Sequence, residues 1–314
     1  MNWILSNLKA AVAFFNAWMS QLYDVLMIDP ISYQHGAIWK VVSKIYDALM
    51  GPAVSILIIG FYIALIYDNG EFIRTRRAGS IIWTYILLGI SATILKGGKY
   101  ILLLIFKCGR DILQIVTGVN GTNLLDLSWV EIPKAVIHAT NNISLGSGIV
   151  FWVVTLIAAL VIMICAFTVL MVVFGRLMNI YMHIAIAPLA LACMAARPLR
   201  GTFAAYLKSF IGVCLQGALI VIVCMIFSAF ASNFDFSYVD AGNQYELRED
   251  MTEEEVQQWF DENVDVGNAI SGSNQKSKNA QVLWSYLAQM LFMYLLMASS
   301  IKASDQWIHQ KLNL

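Results

Sequence analysis

The sequence predicts an all-α, polytopic membrane protein with about five transmembrane helices, interfacial amphipathic helices and a re-entrant or short hydrophobic segment. Apolar residues make up 59% of the 314 residues, charged residues only 13%, and the mean hydropathy is +0.69. Such a composition lies outside the range of soluble domains, so lipid is the expected solvent for most of the chain. Several apolar runs also reach the roughly 20 residues that a helix needs to cross a hydrocarbon core of ~30 Å. The net charge of zero hides a segregation of charge, because residues 233–279 carry eleven acidic and three basic residues. That stretch is near −8 and the remainder near +8.

Residues 1–47 read as an amphipathic helical region. Asn2, Ser6, Lys9, Asn16, Ser20 and Asp24 fall on one face and Ile4, Leu8, Phe15, Trp18 and Leu22 on the other, the pattern of a helix lying on a membrane surface or a partner helix. The region has no basic start and no small-x-small cleavage site, so it is not expected to be removed as a signal peptide. Residues 48–96 hold the first two spans, at 48–67 and 80–96. An exterior interfacial region, 97–147, follows. Beyond the Lys96-Gly97-Gly98-Lys99 stretch, Lys107, Arg110, Asp111 and Gln114 recur at helical spacing, which suits a helix in the interface better than a span.

Residues 148–232 form the expected transmembrane core, with spans at 148–174 and 203–231. The apolar segment 177–196 between them is bounded by Arg176 on one side and Arg197 and Arg200 on the other, with His183 and Pro188 inside it. Basic residues in short loops mark the cytoplasmic side. Placing Arg74, Arg76 and Arg77 there, together with Arg176, Arg197, Arg200 and Lys208, makes 177–196 re-entrant and puts 97–147 outside. Lys96, Lys99, Lys107, Arg110 and Lys134 fit that arrangement less well.

Residues 233–279 become an acidic extracytoplasmic loop. Within it Thr252, Glu253, Glu254 and Glu255 form a capping box for a short helix at 253–263. Residues 280–314 supply the last span, at 281–300, and a cytoplasmic tail.

Motifs of chemistry are scarce. The sequence contains no HExxH, GxSxG or phosphate-binding GxxxxGK[ST], and none of the five spans places Asp or Glu near its centre. The five cysteines form no CxxC pair. No catalytic residue, cofactor or metal site is expected, and the chain is read as no enzyme. The candidate channel or packing positions are His183, Pro188, Gly212, Gln216 and Gly217. The two glycines would admit a neighbouring helix while Gln216 bonds across the contact. Arg176, Arg197, Arg200 and Lys208 form a candidate cytoplasmic basic cluster.

From Phe174 to Phe230 the sequence resembles the TrbL-type polytopic subunit of conjugative type IV secretion systems, in particular those of Gram-positive mobile elements. The resemblance rests on Arg176 before an apolar segment, on Ile-Ala-Pro-Leu-Ala at 186–190, and on Arg-Gly-Thr at 200–202 leading to Lys208-Ser209-Phe210. It implies a multi-pass subunit of the cytoplasmic membrane, contributing to a DNA-transfer channel. Its implied partners are other secretion subunits including separate ATPases, further copies of itself, the lipid bilayer and the transported single-stranded DNA. The alternative is a solute transporter or small-molecule channel, with His183 and Gln216 lining the path.

Overall fold

The computed structural model describes residues 2–75, 79–118, 134–141, 145–195, 199–232 and 275–311, with Glu255 and Gln258 as isolated helical positions. All of the regular structure among them is helical. We number the helices α1 (Asn2–Leu26), α2 (Ala37–Thr75), α3 (Gly79–Gly118), α4 (Lys134–Asn141), α5 (Leu145–Ala192), α6 (Arg200–Ser232) and α7 (Gln275–Lys311). Five stretches are long and apolar enough to cross a membrane: Tyr33–Tyr67, Ile82–Gly118, Gly148–Ala192, Arg200–Phe230 and Val282–Ser304. Each overlaps one of the five expected spans. The capping box at Thr252 and most of the acidic loop lie outside the described residues, as does Arg197.

Two sequence expectations change. The break expected between 174 and 177 is absent, because residues 177–192 continue α5 and the chain turns only after Ala192. Pro188 lies in the last turn and a half of that helix, where the missing N–H removes one bond without ending it. Residues 97–118 likewise continue α3 and are no separate interfacial helix. The glycine pair in the middle of α3 survives there because one of its members, Gly98, is a packing site. An added Cβ would collide with Leu191 and lie 2.5 Å from the Tyr46 hydroxyl.

The chain divides into two compact units. The first comprises Met1–Leu22, Asn123–Leu170 and Val223–Lys302. Its part of α1 is amphipathic as expected, burying Leu5, Leu8, Ala11, Val12, Phe15, Met19 and Leu22 at spacings that follow the 3.6-residue turn. Trp18, expected on that apolar face, is 36% exposed. Aromatic pairs join the elements of this unit. Phe15 meets Tyr294 edge-on at 4.6 Å between ring centroids, Phe14 meets Phe167 at 5.8 Å and Phe151 meets Trp284 at 5.2 Å.

The second unit comprises Tyr23–Thr122, Met171–Ile222 and Ala303–Leu314. It holds two antiparallel helical hairpins, α2 with α3 and the later half of α5 with the first two-thirds of α6. Phe61 packs on Tyr85 and Tyr46 donates its hydroxyl to the Leu95 carbonyl, which sets the register of the first hairpin. Tyr46, Leu95, Leu102, Phe106, Ile184, Leu191 and Phe210 belong to one buried apolar cluster that binds both hairpins together. The connector from α1 to α2 is held by Asp29, whose carboxylate accepts the Ile31 N–H at 3.1 Å. It then passes through Gln34, His35 and Gly36, all with positive φ.

Gly98 touches Leu191, so the middle of α3 and the end of α5 lie at one level of the second unit.

Candidate functional site

The second unit brings the polar side chains of α5 and α6 to one contact, and these helices carry most of the candidate positions. Arg176 is 5% exposed. Its hydrogen bonds run to three backbone carbonyls and not to a carboxylate: Nε to Val213 at 3.2 Å, Nη2 to Cys214 at 3.2 Å and Nη1 to Leu26 at 3.3 Å. Each acceptor has a physical reason to be free for it. Leu26 is the last residue of α1, and the final carbonyls of a helix have no partner within it and carry the negative end of its dipole. Val213 and Cys214 lie inside α6, where a carbonyl engaged in the helix still keeps a second lone pair. A planar guanidinium with five donors can serve three carbonyls in different directions.

Gly217 is the counterpart of Arg176. A Cβ added there would lie 2.6 Å from the Arg176 Cζ and 2.8 Å from both terminal nitrogens. The sequence reading expected glycines of α6 to admit a neighbouring helix; at Gly217 the space is taken by a guanidinium. Close approach of helices occurs instead at Gly109 of α3, where an added Cβ would be 3.1 Å from the Cys214 Cβ and carbonyl oxygen. Gly212, Gln216 and Pro188 are buried.

His183, about two turns nearer the α5/α6 connection, lies against α6. Its Nδ1 is 2.8 Å from the Asn179 carbonyl, and Nε2 is 3.1 Å from the Ser209 Oγ. A carbonyl only accepts, so Nδ1 carries the hydrogen and the neutral ring presents Nε2 as an acceptor to the Ser209 hydroxyl. Tyr206 donates to the His183 carbonyl at 2.8 Å, and its ring and that of Phe210 flank the imidazole at 5.8 and 6.0 Å. Tyr181 donates to the Pro30 carbonyl at 2.9 Å. The arrangement ties α5, α6 and the end of α1 together through polar contacts within an apolar unit.

The basic cluster expected from sequence is thus divided. Arg176 is a core residue, Lys208 is exposed, and Arg200 is partly buried with an Nε that makes no hydrogen bond. The burial of Arg176 follows from carbonyls 37 to 150 residues away in sequence, which no local pattern announces. Ser209, Tyr206 and Tyr181 were missed for the same reason, although Ser209 lies in the Lys-Ser-Phe stretch that carried the resemblance. Among the described residues no group of three His, Cys, Asp or Glu side chains is placed to hold a metal ion.

Residues 53–253 match the TrbL/VirB6 plasmid conjugal transfer protein family. The match runs from the middle of α2 through α3, α4, α5 and α6, and so contains both hairpins of the second unit apart from residues 37–52 of α2. No curated protein and no solved structure matches the chain.

Proposed function

Because the chain belongs to the TrbL/VirB6 family of plasmid conjugal transfer proteins, we propose that it frames part of the path by which a type IV secretion machine moves single-stranded DNA across the cytoplasmic membrane. It does so as a channel or scaffold subunit without catalysis of its own, in an assembly with further copies of itself and with subunits that include separate ATPases. The observation that carries this reading is the family match over residues 53–253 of a chain with five helices long and apolar enough to cross a membrane.

The exposed surface of α5 supports assembly. In the first unit Ile149, Val153, Leu156, Leu160, Ile164 and Phe167 are exposed along it, and in the second unit Met171, Met178, Met182 and Ile186 are. The 48 residues of α5 are more than twice the roughly 20 that a helix needs to cross a hydrocarbon core. Lipid therefore covers one part of this apolar edge and leaves the rest for protein. Methionines, unbranched and polarizable, suit such an adaptable contact.

The test is transfer. In donor cells lacking the chain, a copy supplied in trans restores conjugation, and replacing 186–190 by a polar sequence abolishes it while the protein still reaches the membrane. A cysteine at Met182, in a background with Cys108 replaced, cross-links copies of the chain in native membranes. Selective solute flux through liposomes containing this protein alone, with transfer unaffected by its loss, would refute the reading in favour of a transporter.

A further inference from the structure

We infer that the connector between α1 and α2, residues 27–36, is a strap poised to open: Tyr181 and Arg176 of α5 hold it down, and a strained left-handed turn at 34–36 pulls against them.

The strain lies in the backbone. Gln34 has φ 48° and ψ 47°, and His35 has φ 57° and ψ 27°, the left-handed region in which a Cβ crowds the following carbonyl oxygen. Residues with side chains persist there only where their surroundings impose it, and such residues gather at clamps and switches. Gly36 continues the turn at φ 72°, and an added Cβ would stand 3.1 Å from the Ile31 carbonyl oxygen. Gln34 and His35 are exposed, so burial of their side chains does not offset the cost.

What imposes the turn lies on either side of it. Upstream, the Asp29 carbonyl accepts the N–H groups of Ser32 and Tyr33 at 3.2 and 3.1 Å, while its carboxylate accepts that of Ile31 at 3.1 Å. This tight turn is pinned to α5. The Tyr181 hydroxyl donates to the Pro30 carbonyl at 2.9 Å, and Arg176 Nη1 donates to the Leu26 carbonyl at 3.3 Å. Ile28 and Tyr33 also pack against the buried apolar cluster. Downstream, the Ala37 N–H returns to the Gln34 carbonyl as α2 begins, and Tyr46 ties α2 to α3. Residues 34–36 join two fixed ends, and they do so left-handed.

The strap can lift without dismantling what holds it. Arg176 keeps the Val213 and Cys214 carbonyls when Leu26 leaves, and the Tyr46 and Phe61 contacts of α2 lie beyond the turn. Opening loses two hydrogen bonds and some packing, and it releases strain at two residues. These opposing contributions are of similar size, so the strap opens at a smaller free energy than the hairpins unfold.

The experiment is amide hydrogen exchange on the full chain in detergent, read at residues 27–33 of the strap and 213–222 of α6. In Tyr181→Phe the strap exchanges about fivefold faster, the worth of one hydrogen bond, while α6 is unchanged. In Gln34→Gly/His35→Gly the strap slows on the order of tenfold, because glycine removes the left-handed penalty. The triple variant returns toward the parent rate. Ala37→Gly is the control, since Ala37 has a helical φ of −59° and glycine there adds only flexibility; the strap should exchange faster. Strap exchange as fast in the double glycine variant as in the parent, equal slowing by Ala37→Gly, or equal acceleration of strap and α6 in Tyr181→Phe would each overturn the proposal. If Tyr181→Phe fails to fold, the double glycine variant and its control decide alone.

Discussion

The guanidinium of Arg176 fills the space that a side chain at position 217 would need, with its Cζ 2.6 Å from where a Cβ would stand. Arginine and glycine therefore form one device, since the cation reaches the carbonyls of Val213 and Cys214 only because α6 has no side chain at Gly217.

Gly217→Ala is expected to destabilise the protein by about 1–3 kcal/mol, the usual cost of overpacking a filled site. Thermal unfolding in detergent measures it. The same change in an Arg176→Met background should cost much less, because the obstructing group is gone. Equal costs in the two backgrounds would mean that the pair is not coupled.

Arg176→Lys is predicted to be poorly tolerated despite keeping the charge. One ammonium on a flexible stem cannot replace a planar fork that serves three carbonyls, and the end of α1 at Leu26 loses its partner. Hydrogen exchange at the end of α1 should rise in the variant, and unchanged protection there would contradict the role given to Leu26.

At the centre of α3, Gly98→Val should separate the two hairpins of the second unit by forcing Leu191 and Tyr46 apart. A loss of stability of about 1–3 kcal/mol is expected, with partial recovery in Gly98→Val/Leu191→Ala. Gly97→Ala is the control, since a Cβ at Gly97 would meet nothing within 4 Å.

The polar link between α5 and α6 should be modest. Ser209→Ala removes one hydrogen bond to His183 and is expected to cost about 1 kcal/mol. Nitrogen NMR of the labelled imidazole should find the hydrogen of the neutral ring on Nδ1, and the opposite tautomer would refute the bond to Asn179. Asp47→Asn, by contrast, is expected to change stability by less than about 1 kcal/mol, because the Asp47 side chain is 65% exposed and solvent screens its pair with Lys99.

The amphipathic α1 and the five apolar helices were legible because their signals are local. A run of about 20 uncharged residues, or an apolar residue every third or fourth position, declares itself without knowledge of a partner. The break expected between 174 and 177 was read from Arg176, a charge that sequence logic places in water. It failed because a buried arginine can be solvated by carbonyls. The Lys96-Gly97-Gly98-Lys99 stretch misled in the same way, for it looked like the end of a helix and is the middle of one.

Sequence by itself determined the all-helical class, the five membrane-length helices and the family resemblance, since all depend on composition and order along the chain. Tertiary structure alone decided that Arg176 is a core cation, that His183 pairs with Ser209, and that Gly98 and Leu191 share a level. Those facts rest on distances between residues far apart in sequence. What surrounds a polar group sets whether it is a surface charge or an internal tie, and only the packed helices supply that surrounding.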